Sequence, residues 1–194
     1  PRHRAFFYQK SSRHRHLGDT ASRFFAPCCL LFGQERQAMA AAPVQILAFD
    51  VFGTVVDWHG SIVRHMAQRY PQVNGDAFAT AWRAGYQPAM DLVRSGQLGW
   101  TRIDVLHRRI LDSILPQFGL ADMPEAERAA LNLVWHQLQP WPDSVAGLLR
   151  LKRRFVITPL SNGNVALLTH MAKNAGLPWD CVLSAEVFHA YKPD

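Results

Sequence analysis

The chain has 194 residues, of which 48% are hydrophobic, and this content is enough for a packed interior. No apolar run approaches the length of a membrane span, so we expect no membrane partner. The formal net charge of +6 comes mainly from residues 1–38, which hold seven Arg/Lys and two acidic side chains. The remaining residues hold 14 basic and 13 acidic side chains, and this near-neutral body argues against a nucleic-acid partner.

Residues 1–43 form a basic N-terminal appendage without a sustained hydrophobic period. Three interpretations compete for its origin. The natural start could be Met39, with translated upstream sequence before it. The Arg-rich, acid-poor composition also imitates a targeting segment, and a disordered interaction tail is the third interpretation.

The three cysteines are Cys28, Cys29 and Cys181, and their spacing offers neither a disulfide framework nor a CxxC metal site. This usage is typical of a reducing compartment, so we predict a cytoplasmic location. Cys181 stands beside a predicted strand, and we expect it to be a small buried apolar residue rather than a nucleophile.

The apolar run Ile46-Leu47-Ala48-Phe49 leads directly into Asp50, and a turn containing Gly53 and Thr54 follows. A short apolar run bounded by turn signals predicts a buried strand. Asp50 would then lie at the C-terminal end of that strand, where open α/β sheets place their ligand crevices. The alternative is that Asp50 is an ordinary turn or helix-capping aspartate.

A mainly helical stretch extends from Thr54 to about residue 139. Apolar positions at helical spacing predict four helices, which begin at Asp57 or Ser61, at Asp76 as a cap, at Trp100-Thr101, and at Met123-Pro124. Four helices without an intervening strand can form a small bundle. Inserted after the first strand, this bundle would cover the sheet end where Asp50 lies.

The chain returns to alternating strands and helices after residue 139. The pattern predicts a short helix capped by Asp143, a strand over 155–160, a helix over 165–174 closed by Gly176, and a strand over 181–184. Alternation of this kind predicts a parallel α/β sheet. The predicted organisation is therefore an appendage, a core and a cap, at residues 1–43, at 44–57 with 140–194, and at 58–139.

Four polar residues follow predicted strands, namely Asp50, Ser161, Asn162 and Lys192. The carboxyl ends of parallel strands share one edge of a sheet, so these side chains can converge. A nearby lysine would keep Asp50 ionised and available as a nucleophile. Taken singly, Lys192 is equally a solvated surface residue, and Ser161 and Asn162 are equally turn formers.

Three ordered stretches resemble the first three motifs of the haloacid dehalogenase superfamily: Phe49-Asp50-Val51-Phe52-Gly53-Thr54, Leu160-Ser161-Asn162-Gly163 and Tyr191-Lys192-Pro193-Asp194. Within it, residues 44–194 are most similar to the type II 2-haloacid dehalogenases. The resemblance implies a Rossmann-like parallel sheet core with an inserted helical cap domain. It also implies a small-molecule 2-haloacid substrate and neither a metal nor an organic cofactor.

The same resemblance implies roles for the residues that follow the strands. Asp50 would attack C2 of a short 2-haloacid, expel halide and form an ester that water cleaves. Lys192 would pair with Asp50, while Thr54 and Ser161 would hydrogen-bond within the site. Asn162 would help to seat the substrate or the halide.

Further roles fall on aromatic residues and on the helical stretch. Ala81-Trp82-Arg83 resembles the cap segment whose arginine binds the substrate carboxylate, for which a planar, permanently charged guanidinium is suited. The alternative for Arg83 is an exposed arginine on the cap surface. Phe52, Trp82 and Trp179 either line the pocket or pack in the core.

The main rival hypothesis is the phosphatase chemistry of the same superfamily. Such phosphatases have the sequence Asp-x-Asp at the first motif. The second aspartate protonates the leaving alkoxide, and the enzymes bind magnesium. Phe52 stands at the position of the second acid here and cannot donate a proton. A halide leaves without a proton, so the loss of that acid favours a dehalogenase. The nearest other acid, Asp57, should face elsewhere.

The family continues beyond the lysine with further strands and a fourth motif, whereas this chain ends at Asp194. We therefore expect a C-terminally truncated core in which the first strand exposes an edge. A third hypothesis follows, in which the chain is an inactive truncated domain. A homodimer is possible for such folds, but no residue specifically supports it.

Overall fold

The computed structural model of the chain describes residues 44–193. These residues belong to one compact unit, Ala42–Asp194. The interpretations of the basic appendage fall on residues outside the described range. Within that range, no helix is long and apolar enough to cross a bilayer.

The described residues form short strands and longer helices. The strands are β1 (Ile46–Phe49), β2 (Val56–Asp57), β3 (Gln139–Pro140), β4 (Val156–Ser161) and β5 (Leu183–Ser184). The α-helices are α1 (Trp58–Arg69), α2 (Gly75–Ala84), α3 (Tyr86–Arg94), α4 (Ile103–Ile114), α5 (Glu125–Asn132), α6 (Ser144–Lys152), α7 (Val165–Ala175) and α8 (Ala185–Phe188). Two 3₁₀ helices extend α4 and α5, at Leu115–Phe118 and Leu133–His136.

The main sheet has three parallel strands in the order β1-β4-β5, and α7 connects the last two strands. Parallel pairing with helical crossovers is the α/β architecture predicted from the sequence, and that prediction is confirmed. The register places Phe49 opposite Pro159, so β1 and β4 end at the same edge of the sheet. β5 spans only two residues, which is shorter than the predicted strand over 181–184.

The prediction that β1 is buried is wrong in part. Leu47 and Phe49 pack against the core, but Ile46 is 59% exposed and Ala48 is also exposed. Alternate side chains of a strand point to opposite faces, and in the described residues only one face of β1 is packed. β1 also pairs with a neighbour on one side only, so it is an edge strand of the described sheet.

A two-stranded antiparallel ribbon, which the sequence did not predict, joins the sheet to the helices. It pairs Val56 with Pro140 and Asp57 with Gln139. The residues between its strands, 58–138, are mainly helical and are called the helical insertion below. The predicted core and cap boundaries remain predictions, although this ribbon lies at both of them.

Local capping chemistry explains where the first two helices of the insertion begin. Asp57 caps α1 by accepting a hydrogen bond from the Gly60 amide at 2.8 Å. Asn74, and not the predicted Asp76, caps α2 by accepting from the Ala77 amide at 3.0 Å. Asp76 lies instead in the first turn of α2, where a negative charge interacts favourably with the helix dipole and stabilises the helix.

Helix α3 is not among the four helices predicted from the sequence. Pro88 is the third residue of α3, where its missing amide hydrogen would have no partner within the helix. Gly85 separates α2 from α3 and approaches Ile110 so closely that a Cβ atom would lie 2.5 Å from Ile110 Cγ2. The insertion therefore folds back onto α4 at this glycine.

The return to the sheet follows the predicted pattern with two differences. Gly176 ends α7 with a φ of +67°, the left-handed conformation that favours glycine, as expected. Asp143 precedes α6, but its side chain makes no capping hydrogen bond. Cys181 is exposed, so the expectation of a buried residue is wrong. Cys181 precedes β5, and its backbone carbonyl accepts a hydrogen bond from Thr158 Oγ1 at 3.2 Å.

Candidate active site

The loop after β1 forms a tight turn in which residues 55 and 56 hydrogen-bond back to Val51. The Val51 carbonyl accepts hydrogen bonds from the amides of Val55 at 2.9 Å and Val56 at 3.1 Å. Gly53 makes the tight turn possible with a φ of +88°, which side chains with a Cβ rarely adopt. The turn returns the Thr54 hydroxyl to Asp50, where it donates to Oδ2 at 3.0 Å.

The second oxygen of Asp50 accepts a hydrogen bond from the Lys192 ammonium, with Nζ at 2.7 Å from Oδ1. The Asp50 and Lys192 side chains are 49% and 39% exposed, so water screens their attraction. An ion pair of this exposure contributes at most about 1 kcal/mol to folding. The arrangement therefore matters for orientation, because it fixes the carboxylate plane while leaving lone pairs free on both oxygens.

Residues of the helical insertion hold the chain segment that carries Lys192. The adjacent Tyr191 is buried, and its hydroxyl donates to the Thr101 carbonyl at 2.6 Å. The Trp100 ring packs on the Tyr191 ring with centroids 5.0 Å apart. The Arg94 guanidinium donates to the Lys192 carbonyl oxygen. The insertion and the sheet thus position this lysine together.

Two buried polar residues at the end of β4 also line the site. Ser161 Oγ accepts a hydrogen bond from the Gly163 amide at 3.2 Å. Asn162 Oδ1 accepts from the Lys192 amide at 2.8 Å, and Asn162 Nδ2 donates to the Tyr86 hydroxyl at 3.1 Å. Asn162 consequently links the sheet, the lysine segment and α3.

Arg83 approaches the site from α2. Its guanidinium carbon lies 4.0 Å from the centroid of the Tyr86 ring and 5.8 Å from the centroid of the Trp58 ring. A guanidinium that stacks on an aromatic face is stabilised by attraction to the ring. Its N–H groups lie in its own plane, so stacking leaves them free to bind an anion. Arg83 is half-buried and faces the cavity described next, so it is not a freely exposed surface arginine.

A cavity of about 410 Å³ lies between the sheet end and the helical insertion. Its lining combines one carboxylate, two cations and several apolar or amide groups: Asp50, Phe52, Arg83, Tyr86, Gln87, Met90, Ser161, Asn162, Lys192 and Pro193. The structure thus brings together Asp50, Ser161, Asn162, Lys192, Arg83 and Phe52, whose catalytic and binding roles remain predictions. Thr54 contacts Asp50 without lining the cavity.

Sequence reasoning missed three residues of this lining, Tyr86, Gln87 and Met90. They follow Arg83 at intervals of three, four and seven, so a helical face extended past Gly85 would have found them. Burial raises the pKa of the Tyr86 hydroxyl, and the neighbouring Asp50 carboxylate adds to this, against opposing effects of Asn162 and Arg83. Tyr86 therefore remains a neutral phenol near neutral pH.

The aromatic residues considered for the pocket separate into two groups. Phe52 lines the cavity and packs edge-on against Trp135, with centroids 6.0 Å apart. Trp82 is fully buried and donates from Nε1 to the His107 carbonyl at 2.9 Å. Trp179 packs against Phe49 with centroids 5.6 Å apart. The last two tryptophans therefore pack in the core and do not line the cavity.

The side chain of Asp57, the nearest other acid in sequence, makes its contacts outside the cavity. It caps α1, and its Oδ2 accepts from Arg64 at 3.2 Å. It does not line the cavity. The position two residues after Asp50 is Phe52, so in the described residues the cavity holds a single carboxylate.

Comparison with known proteins gives consistent matches. The sequence profile of the haloacid dehalogenase-like hydrolases matches residues 44–194. The (S)-2-haloacid dehalogenase H-109 of Pseudomonas putida is 27% identical over 157 residues, which cover 78% of this chain and 67% of that protein.

Two solved structures are similar over 78% of this chain. A defluorinating L-2-haloacid dehalogenase is 45% identical, with a TM-score of 0.74 and 64% of its own chain covered. Another L-2-haloacid dehalogenase is 43% identical, with a TM-score of 0.75 and 66% of its own chain covered. The chain thus spans about two thirds of the length of these relatives.

Proposed function

We propose, for a chain that belongs to the haloacid dehalogenase-like hydrolase family, the hydrolytic dehalogenation of short 2-haloalkanoic acids to 2-hydroxy acids. The observation that carries the proposal is a single carboxylate, Asp50, facing a cavity that also contains an arginine and a lysine. The similarity to proteins named 2-haloacid dehalogenases, at up to 45% identity, supports the same reaction.

In the proposed first step an Asp50 oxygen attacks C2 of the substrate. A C–O bond forms, the C2–halogen bond breaks, and the electron pair leaves with the halide. The hydrogen bonds from Thr54 at 3.0 Å and Lys192 at 2.7 Å hold the carboxylate in one orientation for this attack. Because each carboxylate oxygen has two lone pairs, both bonds can persist while one lone pair reacts.

In the proposed second step water attacks the carbonyl carbon of the aspartyl ester. The 2-hydroxy acid leaves, the Asp50 carboxylate re-forms, and one proton is released to solvent. Lys192 stays beside the ester oxygen throughout and stabilises the negative charge that develops there.

Arg83 is the proposed partner of the substrate carboxylate. Its ring contacts leave the edge of the guanidinium available, and a bidentate pair would fix both the position and the direction of the acid. The apolar lining from Phe52 and Met90 suits the short carbon chain beside that carboxylate. From this division we expect a preference for small acids over neutral haloalkanes.

Phosphatase chemistry is less well supported by the same cavity. An alkoxide leaving group needs a general acid, and Phe52 occupies the position from which a second aspartate would act. Halide departs as a weak base and needs no proton. The cytoplasmic location predicted from the sequence remains a prediction, and no observation bears on the homodimer that is possible for such folds.

The test is halide release from 2-chloropropionate, measured beside phosphate release from an aryl phosphate with and without magnesium. The proposal expects halide in the absence of added metal and its loss in Asp50→Asn. Asp122→Asn, at an exposed position, is the matched control and should retain activity. Magnesium-dependent phosphate release without halide would contradict the proposal, whereas a folded protein that releases neither product would support the inactive-domain hypothesis.

A further inference from the structure

The amide of Asn162 has no donor left for a ligand. Its Oδ1 accepts from the Lys192 amide at 2.8 Å, and since a backbone N–H can only donate, this contact fixes the orientation of the side-chain amide. Its Nδ2 then donates to the Tyr86 hydroxyl at 3.1 Å and lies 3.5 Å from Met90 Sδ. Asn162 is buried, so these partners satisfy it within the protein.

Tyr86 accepts the hydrogen bond that Asn162 Nδ2 donates. Its hydroxyl oxygen acts as the acceptor, so its own O–H hydrogen must point elsewhere. Within residues 44–193 no acceptor receives that hydrogen, and Tyr86 lines the same cavity as Asp50. Stacking of the ring against Arg83 at 4.0 Å further restricts the phenol to one position. The Tyr86 hydroxyl is therefore an oriented, neutral O–H donor that lines the cavity.

The leaving halide is the group that needs such a donor. In-line displacement places the departing halogen on the side of C2 away from Asp50. Asp50 follows β1 of the sheet, whereas Tyr86 begins α3 of the helical insertion, and both line the cavity. Negative charge grows on the halogen during the step, and a preorganised donor stabilises it more than the neutral C–halogen bond.

We infer that the Tyr86 hydroxyl donates the hydrogen bond that stabilises the departing halide, and that Asn162 is the positioning residue that orients it. The inference rests on the proposed dehalogenation and deepens it by naming a residue that determines halide preference. Tyr86 keeps its proton, and the electron pair of the broken bond leaves with the halide.

A consequence follows for halide preference. Smaller halides are stronger hydrogen-bond acceptors, so the donor contributes most for fluoride, less for chloride and least for bromide. A hydrogen bond to a charged acceptor corresponds to roughly a 10- to 150-fold change in rate. Removing the hydroxyl should therefore slow the substrates unequally.

The experiment compares kcat/KM of the protein and of Tyr86→Phe for 2-bromo-, 2-chloro- and 2-fluoropropionate, which share one carbon skeleton. We expect a loss of about 10- to 100-fold for the chloro compound, a smaller loss for the bromo compound and the largest loss for the fluoro compound. The loss should appear mainly in kcat. Tyr70→Phe is the matched control, because its hydroxyl lies 3.5 Å from Glu127 on the insertion surface.

An equal loss for all three halides, or a change confined to KM, would overturn the inference, because a carboxylate-binding or purely structural role predicts that result. If the unaltered protein releases no halide from any of the three acids, the proposed function itself fails. Incorporation of 3-fluorotyrosine at position 86 preserves the packing and strengthens the donor. It should raise the chloro-to-bromo ratio of kcat/KM, and an unchanged ratio would count against the inference.

Discussion

At the scale of single residues, two hydrogen bonds orient the Asp50 carboxylate, and their donors lie at very different distances from Asp50 in the sequence. Thr54 lies four residues away and reaches Asp50 through the Gly53 turn. Lys192 lies 142 residues away and arrives through the parallel sheet and the Tyr191 anchor. Each bond fixes one oxygen, so the loss of either should let the carboxylate rotate.

The first prediction concerns the hydroxyl of Thr54. Thr54→Val removes the donor to Asp50 Oδ2 and keeps the side-chain shape, so kcat for halide release should fall by roughly 10- to 100-fold with little change in folding stability. Thr54→Ser retains the hydroxyl and is the matched control. Wild-type kcat in Thr54→Val would show that Lys192 alone orients the nucleophile.

At the scale of elements, the junction of α2 and α3 decides which side chains reach the cavity. Gly85 lies between Arg83 and Tyr86, and its hydrogen faces Ile110 of α4. A larger residue there would push the junction away from α4 and displace both cavity residues together. The close approach, rather than a special backbone angle, requires glycine, since the φ of Gly85 is −71°.

The second prediction concerns this junction. Gly85→Ala places a Cβ 2.5 Å from Ile110 Cγ2, so the free energy of unfolding should fall by about 1–3 kcal/mol, as measured by urea denaturation. Gly147→Ala is the matched control, because it lies within α6 with only Arg150 Nη2 nearby, at 4.0 Å. The control should be neutral or stabilised by up to about 1 kcal/mol. An unaffected Gly85→Ala would show that Ile110 moves aside freely.

At the scale of the whole molecule, a polar network joins the insertion to the sheet. Asp104 of α4 accepts from Asn164, the residue before α7, at 2.9 Å and contacts His136 Nε2 at 3.1 Å. Burial opposes the charge of Asp104, but these hydrogen bonds outweigh it and lower its pKa overall. One turn further along α4, His107 is fully buried against Trp135, with ring centroids 4.2 Å apart.

The third prediction concerns the pH dependence of folding. Burial lowers the pKa of His107 from 6.5 to about 3. Between pH 3 and pH 6.5, His107 therefore binds a proton in the unfolded chain but not in the folded protein. Stability therefore decreases as pH falls below 6.5, by about 2 kcal/mol at pH 5 from this group. His107→Phe should remove this part of the decrease when urea midpoints are compared at pH 7.5 and pH 5.

The matched control for this prediction is His59→Gln, whose side chain is 38% exposed and lies 3.2 Å from Asp76. The control should keep the decrease that the unaltered protein shows between the two pH values. If His107→Phe keeps it as well, other groups cause the acid sensitivity. The difference between the two pH values is the readout, so a change in absolute stability from the new ring does not affect the conclusion.

The sequence by itself determined the parallel α/β fold and the set of side chains at its edge. Strand-ending positions such as Asp50, Ser161 and Lys192 could be predicted to converge, because parallel strands end at one edge regardless of the loops between them. Arg83 was found through a family resemblance, and its helical spacing would also have led to Tyr86 and Met90.

Only the tertiary structure decided which faces are covered and which polar atoms are already paired. Periodicity does not reveal how many neighbours a strand has, so the exposure of Ile46 in β1 was missed. The pairing of Asn162 with Tyr86 depends on atoms 76 residues apart meeting at 3.1 Å, which no local pattern encodes. Hydrogen bonds are short and directional, so the donor that faces the cavity is set by three-dimensional packing and not by composition or spacing.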